Sequence, residues 1–376
     1  MPGDETDTSG IVAPGAHSRW TQTRVAAAPG TCRAAARIAP RLPARPAHGL
    51  HAAALALGLV AGLLAAAPAF GQEEAGAVDP HRRRSTIYVA DRAAGTVIAL
   101  SRDTAEILAT IPVGKSPSGL AARRDGDRVY VACAGSHTLC VIDGATRRVL
   151  DTVSLTHGAA PAHVVLSPDQ RTLYVAASGL DVVYALDVAS LQQTAEVAVG
   201  RRPERLALSP DGRRLYVLCV ESGRVDILDT AAQRVVASAP VGAHPSDLGL
   251  DPADGAVYVV RAGAPALHEI AEGATQAKEI SIDAPAEALA VDSPARRLVL
   301  SSPAAGRITI VAPATGASMK VIRVPEVSRV AVDPEGARLY ALSSRRGLLL
   351  YVDRVRGSIE RQVPIGKEPW DLVLIP

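Results

Sequence analysis

The stretch that decides the fold is residues 203–242, which read PERLALSPDGRRLYVLCVESGRVDILDTAAQRVVASAPVG. It contains four short apolar segments, LALS, RRLYVLCV, RVDILD and RVVASAP, which are separated by the turn sequences PDG, ESG and TAAQ. Apolar runs of this length bounded by Gly, Pro, Asp and Ser are typical of β-strands joined by tight turns. The stretch therefore predicts a four-stranded antiparallel meander.

The same unit recurs through residues 84–376. An aromatic or β-branched residue in the second apolar segment returns every 41–44 residues, at Tyr88, Tyr130, Tyr174, Tyr216, Tyr258, Val299 and Tyr340. A proline ahead of the first segment returns every 40–44 residues, at Pro117, Pro161, Pro203, Pro245, Pro285, Pro325 and Pro369. Radially repeated four-stranded units of this length are the blades of a β-propeller. We therefore predict an all-β, seven-bladed propeller of four-stranded antiparallel blades over residues 84–376.

The two ends of the repeat region complement each other. The first unit begins at RSTIYVA and lacks an inner strand, whereas the chain ends with WDLVLIP (370–376), which matches ERLALSP (204–210) position by position. We expect the C-terminal segment to supply the inner strand of blade one. Such closure leaves no exposed inner edge for another chain to pair with.

These units resemble the YVTN family of β-propeller repeat proteins. The resemblance rests on SPDGRRLYV (209–217), LSPDQRTLYVA (166–176), TLCVIDGATRRV (138–149) and IPVGKSP (111–117), and it covers essentially all of residues 84–376. It implies a propeller in an exported or surface protein, with no particular chemistry attached. The asparagine that usually follows YVA in this family is replaced here by Asp91, Cys133 and Ala177.

The segment before the propeller has the features of an export signal. Residues 50–72 read LHAAALALGLVAGLLAAAPAFGQ, an uncharged apolar core followed by small residues. This pattern predicts a basic leader and cleaved signal peptide over residues 1–71, a linker over 72–83, and a periplasmic or secreted protein. The alternative is an uncleaved anchor, and only in that case do we expect a membrane partner.

The charge balance argues against nucleic acid as a partner. Six of the 40 Lys and Arg residues and three of the 38 Asp and Glu residues lie in residues 1–71, so the remainder is close to neutral. A near-neutral domain has no broad positive field to attract phosphate backbones.

Residues that recur in many blades are explained by the blade itself. Aspartate ends the third strand at Asp143, Asp187, Asp229 and Asp353, and occupies SPD turns at Asp169 and Asp211. An aspartate in these places accepts hydrogen bonds from nearby backbone N–H groups. Candidate functional residues must therefore break the period.

The residue just before each inner apolar segment breaks it, and we expect this position to surround the central mouth of the propeller. In blade order it is Asp371, Gly119, His163, Arg205, Asp247, Ala288 and Arg329. With neighbouring irregular residues this gives a candidate ligand-binding set of His163, Arg205, Asp247, Glu287, Arg329, Trp370 and Asp371.

Two interpretations of this mouth are open. In one, Arg205 and Arg329 bind a carboxylate or phosphate by paired hydrogen bonds, while Asp247 and Asp371 orient it. In the other, the opposite charges neutralise each other across the axis. A metal or acid–base role for His163 or His244 with Glu287 or Asp247 is a weaker hypothesis, and no metal site is predicted.

Cys133 and Cys140 lie on either side of the turn between the second and third strands of blade two. In an oxidising compartment they are candidates for a disulfide, and the alternative is two small buried apolar residues. Cys219 occupies the place of Cys133 in blade four, and we expect it to be a core residue.

Two functions remain open at this point. The first is an exported, non-enzymatic binding or scaffold module that recognises a protein, glycan or small anionic ligand at its top face. The second is a periplasmic propeller enzyme or enzyme subunit, similar to lactonases or quinoprotein dehydrogenases. No HExxH, paired CxxC, CxxCH or GxSxG motif occurs, and no cofactor is predicted.

Overall fold

The structure is a computed structural model, and it describes residues 85–333 and 338–375. The predicted leader and signal peptide (1–71) and linker (72–83) lie outside the described residues. The described part contains no helix long and apolar enough to cross a membrane. It consists of 28 β-strands in seven sheets of four.

The first three blades use the following strands. Blade one has β1 (Thr86–Asp91), β2 (Thr96–Ser101) and β3 (Ile107–Pro112), with β28 (Pro369–Leu374) as its inner strand. Blade two has β4 (Pro117–Ala122), β5 (Arg128–Cys133), β6 (Thr138–Asp143) and β7 (Arg148–Ser154). Blade three has β8 (Pro161–Leu166), β9 (Thr172–Ala177), β10 (Val182–Asp187) and β11 (Gln193–Ala198).

The remaining four blades follow in chain order. Blade four has β12 (Pro203–Leu208), β13 (Arg214–Cys219), β14 (Arg224–Asp229) and β15 (Arg234–Pro240). Blade five has β16 (Pro245–Leu250), β17 (Val257–Arg261), β18 (Ala266–Ile270) and β19 (Lys278–Ser281). Blade six has β20 (Ala288–Asp292), β21 (Arg297–Ser302), β22 (Arg307–Val311) and β23 (Ser318–Arg323). Blade seven has β24 (Arg329–Val332), β25 (Arg338–Ser343), β26 (Leu348–Asp353) and β27 (Ser358–Pro364).

The predicted ring closure is confirmed. Strand β28 pairs antiparallel with β1, with Tyr88 opposite Val373 and Val89 opposite Leu372. Asp91, at the end of β1, strengthens this junction, because its carboxylate accepts backbone hydrogen bonds from Lys367 (2.9 Å) and Glu368 (3.1 Å). The last strand of the chain thus completes the first sheet.

Apolar side chains fill the spaces between blades. Seven clusters of buried residues lie one at each blade interface, the cluster between blades seven and one included. Second and third strands are buried on both faces, as in β1 and β26, whereas outer strands such as β3 and β7 are largely exposed. Blades diverge away from the axis, so only the inner three strands are covered by neighbours.

The recurring aspartates have the structural role expected of them. Asp211 accepts hydrogen bonds from the Ser209 hydroxyl (2.6 Å) and the Arg213 amide (3.0 Å) in its SPDG turn. Asp143 accepts from the Ala145 and Thr146 amides, and Asp353 accepts from two amides of its own turn. The turn hydrogen bonds account for these aspartates without a ligand.

A bulge marks the start of the inner strand in five blades. In blade four the register shifts between Pro203 and Arg205, so Glu204 has no partner on β13. The same shift occurs at Trp370, Ser118, Ala162 and Ser246. The inner strands therefore begin at the recurring proline, ahead of the apolar segments that predicted them. The bulged residue lies next to the connection from the previous blade.

The end of the propeller at which the inner strands begin is called the top face here. The turn between the second and third strands contacts the incoming connection there, as when Gly135 donates to the Lys115 carbonyl (3.0 Å) and Val220 donates to the Arg202 carbonyl (3.0 Å). Inner strands run from the top face toward the opposite, bottom face.

Candidate functional site at the top face

Four charged residues of the predicted set form one buried network on the channel axis. Arg205 lies between two carboxylates, with its Nε 3.4 Å from Oδ1 of Asp247 and its Nη1 3.9 Å from Oδ1 of Asp371. Arg329 places its Nη1 2.8 Å from Oδ2 of Asp247. Arg205, Asp247 and Asp371 are each less than 9% exposed. The two arginines and two aspartates therefore neutralise each other across the axis.

The same ring of residues joins blades in pairs through side-chain hydrogen bonds. Asp371 of blade one accepts from the Leu120 amide of blade two (3.2 Å), and Asp247 of blade five accepts from the Leu289 amide of blade six (3.0 Å). His163 of blade three accepts at Nδ1 from the Leu206 amide of blade four (3.3 Å). A backbone N–H donates only to an unprotonated nitrogen, so His163 is neutral in this contact.

Burial sets the proton affinity of these groups. Burial, with repulsion from Arg205, lowers the pKa of His163 well below its ordinary value. Burial raises the pKa of Asp247 to about 6, although attraction to Arg205 opposes the rise, and the pKa of Asp371 is raised for the same reasons. A neutral histidine is consistent with its role as a hydrogen-bond acceptor.

Two adjoining cavities open on the top face above this network, and together they are called the mouth here. They have volumes of about 360 Å³ and 300 Å³ and share Glu287, Ser328, Ser344 and Trp370. The larger cavity is also lined by Glu204, His244 and Arg329, and the smaller by Glu326 and Arg345. The residues come from several blades, so the mouth depends on the closed ring.

The predicted site residues fall into three places. Glu287, Arg329 and Trp370 line the mouth. Arg205, Asp247 and Asp371 are buried and do not line it. His163 instead lines a cavity of about 480 Å³ that extends toward the bottom face among Leu166, Pro168 and other inner-strand ends.

Several mouth residues are absent from the predicted set. Ser344 and Arg345 belong to the turn between β25 and β26. The predicted set contains only residues at the start of the inner strands and just before them, so it does not include this turn. Glu204 and Ser246 are bulge residues, and each directly follows one of the recurring prolines. Their recurrence one residue ahead of the axial ring is the feature that identifies them.

The free charges of the mouth are mainly acidic. Among the described residues, none forms an ion pair with Glu287, Glu326 or Arg345, whereas Arg202 is paired with Glu204 at 2.8 Å. The Ser328 hydroxyl contacts the Ser344 hydroxyl at 2.5 Å, and Ser344 donates onward to the Pro369 carbonyl. This hydroxyl chain links blade seven to the closing strand.

Trp370 is the aromatic component of the mouth. The guanidinium carbon of Arg92 lies 3.9 Å from the centroid of its ring, a cation–π contact. This contact and the bulge at residue 370 hold the indole at the edge of both cavities.

The two blade-two cysteines are close together and free. Their Sγ atoms are 3.8 Å apart, and both side chains are buried. Cys219 is also free and buried, in the core position expected of it. The disulfide between Cys133 and Cys140 stays a prediction.

The acidic and histidine side chains of the described residues do not form a metal-binding cluster. Within residues 85–333 and 338–375, no group of three or more His, Cys, Asp or Glu side chains is placed to hold a metal ion. Of the histidine–carboxylate pairs considered, His244 and Glu287 line the same cavity, whereas His163 lines a different one.

Comparison with known proteins agrees with the fold. Hydrazine synthase of Kuenenia stuttgartiensis is similar with a TM-score of 0.62 and 18% sequence identity, over 76% of this chain and 93% of that chain. Dihydro-heme d1 dehydrogenase NirN, solved in complex with DHE, is similar with a TM-score of 0.61 and 16% identity, over 79% of this chain and 76% of that one. At such identities the likeness concerns the fold alone.

Sequence comparison identifies the family. No curated protein matches the chain. The family model described as YNCE-like beta-propeller matches residues 47–375, which is most of the sequence and includes every blade. The chain belongs to the YNCE-like β-propeller family.

Proposed function

We propose that this chain is an exported, non-enzymatic binding module whose mouth takes a small saccharide. The observation that carries the proposal is the composition of the mouth, in which the Trp370 ring adjoins the unpaired carboxylates of Glu287 and Glu326. Ligand sites typically combine an aromatic or apolar surface with a few polar groups that fix orientation. A protein partner and a small anion are the other ligands to be tested.

The geometry disfavours an anion. Arg205 is buried between Asp247 and Asp371, and Arg329 is paired with Asp247. Releasing a buried arginine to bind an anion leaves a carboxylate without its countercharge, which costs about 3–5 kcal/mol. The carboxylates of Glu287 and Glu326 at the mouth surface repel an anion, and the guanidinium groups of Arg345 and of Arg92, which lies against Trp370, oppose that repulsion.

A neutral polyhydroxylated ligand meets these groups better. Carboxylates accept hydrogen bonds from several hydroxyl groups at once, and Arg345 supplies donors. Arg92 covers one face of the Trp370 indole, and we expect the other face to stack on the C–H surface of a sugar ring. The combined cavities, about 360 and 300 Å³, are in the range of small-molecule sites.

Trp370 also provides the assay. The chain has two tryptophans, Trp20 in the predicted leader and Trp370 at the mouth, so indole fluorescence of the propeller reports on the site. We expect a panel of soluble mono- and oligosaccharides to contain ligands that change this fluorescence and release or absorb heat in calorimetry. Phosphate and citrate serve as the anionic comparison.

Two substitutions separate stacking from the optical signal. We expect Trp370→Phe to lose the fluorescence change but keep binding in calorimetry, whereas Trp370→Ala weakens binding about tenfold, or ~1.4 kcal/mol. Binding of the anions but of no saccharide would overturn the proposal. Equal affinity of Trp370→Ala and the unsubstituted chain would remove the mouth as the site.

A propeller enzyme is the second candidate. Both structural neighbours described above are named as enzymes, although the likeness extends only to the fold. Metal analysis and visible absorbance of protein purified from the native periplasm, followed by a lactone-hydrolysis screen, distinguish the two functions. A bound chromophore or lactone turnover that depends on the mouth would favour the enzyme over the binding module.

A further inference from the structure

We propose that Cys133 and Cys140 are a redox-active cysteine pair that a disulfide oxidant converts reversibly to an intramolecular disulfide. This site is in blade two, separate from the mouth, and does not depend on the ligand proposed for it.

The geometry brings the two sulfurs together on one face of the sheet. Cys133 ends β5 and lies opposite Thr138, whereas Cys140 on β6 lies opposite Val131, so the cysteines are diagonal neighbours. Their Sγ atoms are 3.8 Å apart, within hydrogen-bonding distance for sulfur. Both side chains are at most 2% exposed.

The surroundings of Cys140 favour a negative charge. The Thr152 hydroxyl donates to its Sγ at 3.7 Å, and the Gly114 amide and the Thr138 hydroxyl act on it in the same direction. Hydrogen bonding from Cys133 is the largest influence, and together these donors outweigh burial and lower the pKa of Cys140 to about 6. The same contact raises the pKa of Cys133, so the shared proton stays on Cys133.

Blade four supplies an internal comparison, because it repeats this arrangement with a carboxylate. Two blades further along, Cys133 corresponds to Cys219 and Cys140 corresponds to Asp226. Asp226 is fully buried and accepts from the Gly200 amide (2.6 Å), the Ser238 hydroxyl (2.6 Å) and Arg224 Nε (2.7 Å).

The donors around these two residues occupy matching places. Gly114, Thr138 and Thr152 of blade two stand where Gly200, Arg224 and Ser238 stand in blade four. In blade four the three donors hold a buried anion, and hydrogen bonds from them keep the pKa of Asp226 low despite burial. In blade two the neutral Thr138 hydroxyl stands in place of the Arg224 cation, so the matching donors favour a Cys140 thiolate by hydrogen bonding alone.

Two features make the disulfide readily reducible rather than permanent. A stabilised thiolate favours the reduced form. Diagonal residues in an antiparallel pair have Cα atoms about 7–8 Å apart, beyond the usual disulfide range of about 4.4–6.8 Å. Bridging therefore requires a local backbone shift, and strained disulfides have the more oxidising potentials.

The exchange reaction balances with a low-molecular-weight disulfide as oxidant. The Cys140 thiolate attacks one sulfur of the oxidant, forming a mixed disulfide and releasing one thiolate. Cys133 then gives up its proton to that thiolate and attacks Cys140, forming the Cys133–Cys140 bond and releasing the second thiolate. The cysteines lose two electrons, and the oxidant gains them.

Access is through the short turn that joins the two strands. Residues 134–137 lie on the top face, and none of them is buried. Cys133 directly precedes this turn, whereas Cys140 is the third residue of β6, so exposing both sulfurs requires the turn and the start of β6 to open. We therefore expect slow but complete exchange at equilibrium.

The test is a redox titration of the full chain. Protein is equilibrated in buffers of varied reduced-to-oxidised glutathione ratio, acid-quenched, unfolded, alkylated and read by peptide mass spectrometry. We expect the Cys133–Cys140 peptides to pass from two alkylated thiols to a disulfide within this range. Cys219, buried alike but facing Asp226, is the matched internal control and should stay alkylated throughout.

A second measurement tests the thiolate itself. We expect a thiolate far-ultraviolet absorbance that titrates with a midpoint near pH 6, is absent in Cys140→Ser, moves to higher pH in Thr152→Val and is unmoved in Thr152→Ser. Free thiols in the most oxidising buffer, a disulfide that survives the most reducing one, or an unchanged midpoint in Thr152→Val would each overturn the proposal.

Discussion

Replacing Arg205 by methionine tests the axial network. Methionine keeps most of the side-chain volume but removes the guanidinium that lies between Asp247 and Asp371. Asp247 keeps Arg329 at 2.8 Å, whereas Asp371 keeps only the Leu120 amide at 3.2 Å among its contacts described above. The variant therefore holds a buried carboxylate without a countercharge.

The expected loss of stability is large and depends on pH. Removing one partner of a buried ion pair costs about 3–5 kcal/mol. The pKa of Asp247 in the folded chain, about 6, already exceeds that of an unfolded aspartate, about 3.9. The folded state therefore holds more protons between these values, and the free energy of unfolding falls as the pH rises through them.

Loss of Arg205 removes an attraction that opposes the rise, so the pKa values of Asp247 and Asp371 increase further in the variant. The carboxyls then keep their protons to higher pH. The loss of unfolding free energy relative to the unsubstituted chain is complete above the raised pKa values and shrinks as the pH falls toward about 4.

Urea unfolding followed by circular dichroism at about pH 8 and about pH 5 measures this difference. Arg202→Met is the matched control, because Arg202 is half-exposed and its pair with Glu204 lies at the surface; we expect a change of less than about 0.5 kcal/mol. An Arg205→Met variant as stable as the control, or equally destabilised at both pH values, would refute the reasoning.

Three further predictions concern the ring and its buried anions. Deletion of residues 370–376 removes most of β28 and leaves β1 without its inner partner, so soluble yield should fall greatly; an unchanged melting temperature would contradict closure. Asp91→Ala leaves the Lys367 and Glu368 amides without an acceptor and should lower the free energy of unfolding by about 1–3 kcal/mol, measured in urea. Asp226→Asn should destabilise the chain above about pH 4, with the difference fading at lower pH because the pKa of Asp226 is low; a loss independent of pH would show that the carboxylate charge has no part.

The blade count was predictable because two independent series of residues share one period. Tyr216 and its counterparts mark the second strand and Pro203 and its counterparts mark the first, so strand order follows without knowledge of contacts. Closure was predictable for a similar reason, since 370–376 matches 204–210 and blade one lacks that strand.

The site was less predictable because distances across the axis do not follow from the period. Arg205, Asp247 and Asp371 occupy the same position of the repeat, which predicts that they lie in one ring. Their ion pairs depend on which side chains extend toward the propeller axis, and the repeat does not determine that. Recurring prolines precede Glu204 and Trp370, but a proline does not by itself predict a bulge, because no register shift follows Pro285 or Pro325 in their blades.

The hydrogen bonds accepted by the axial side chains join six of the seven blades in pairs. Blades one and two, three and four, and five and six are joined through Asp371, His163 and Asp247. Seven is odd, so blade seven has no partner in this axial series, and its link to blade one runs through the Ser344 hydroxyl and the Pro369 carbonyl. Its axial residue, Arg329, instead reaches back to blade five.

The mouth opens around that unmatched blade, since Ser328 and Ser344 of blade seven line both of its cavities. An odd number of blades makes one position of the ring different from the rest in this pairing, and in this protein the mouth lies at that position.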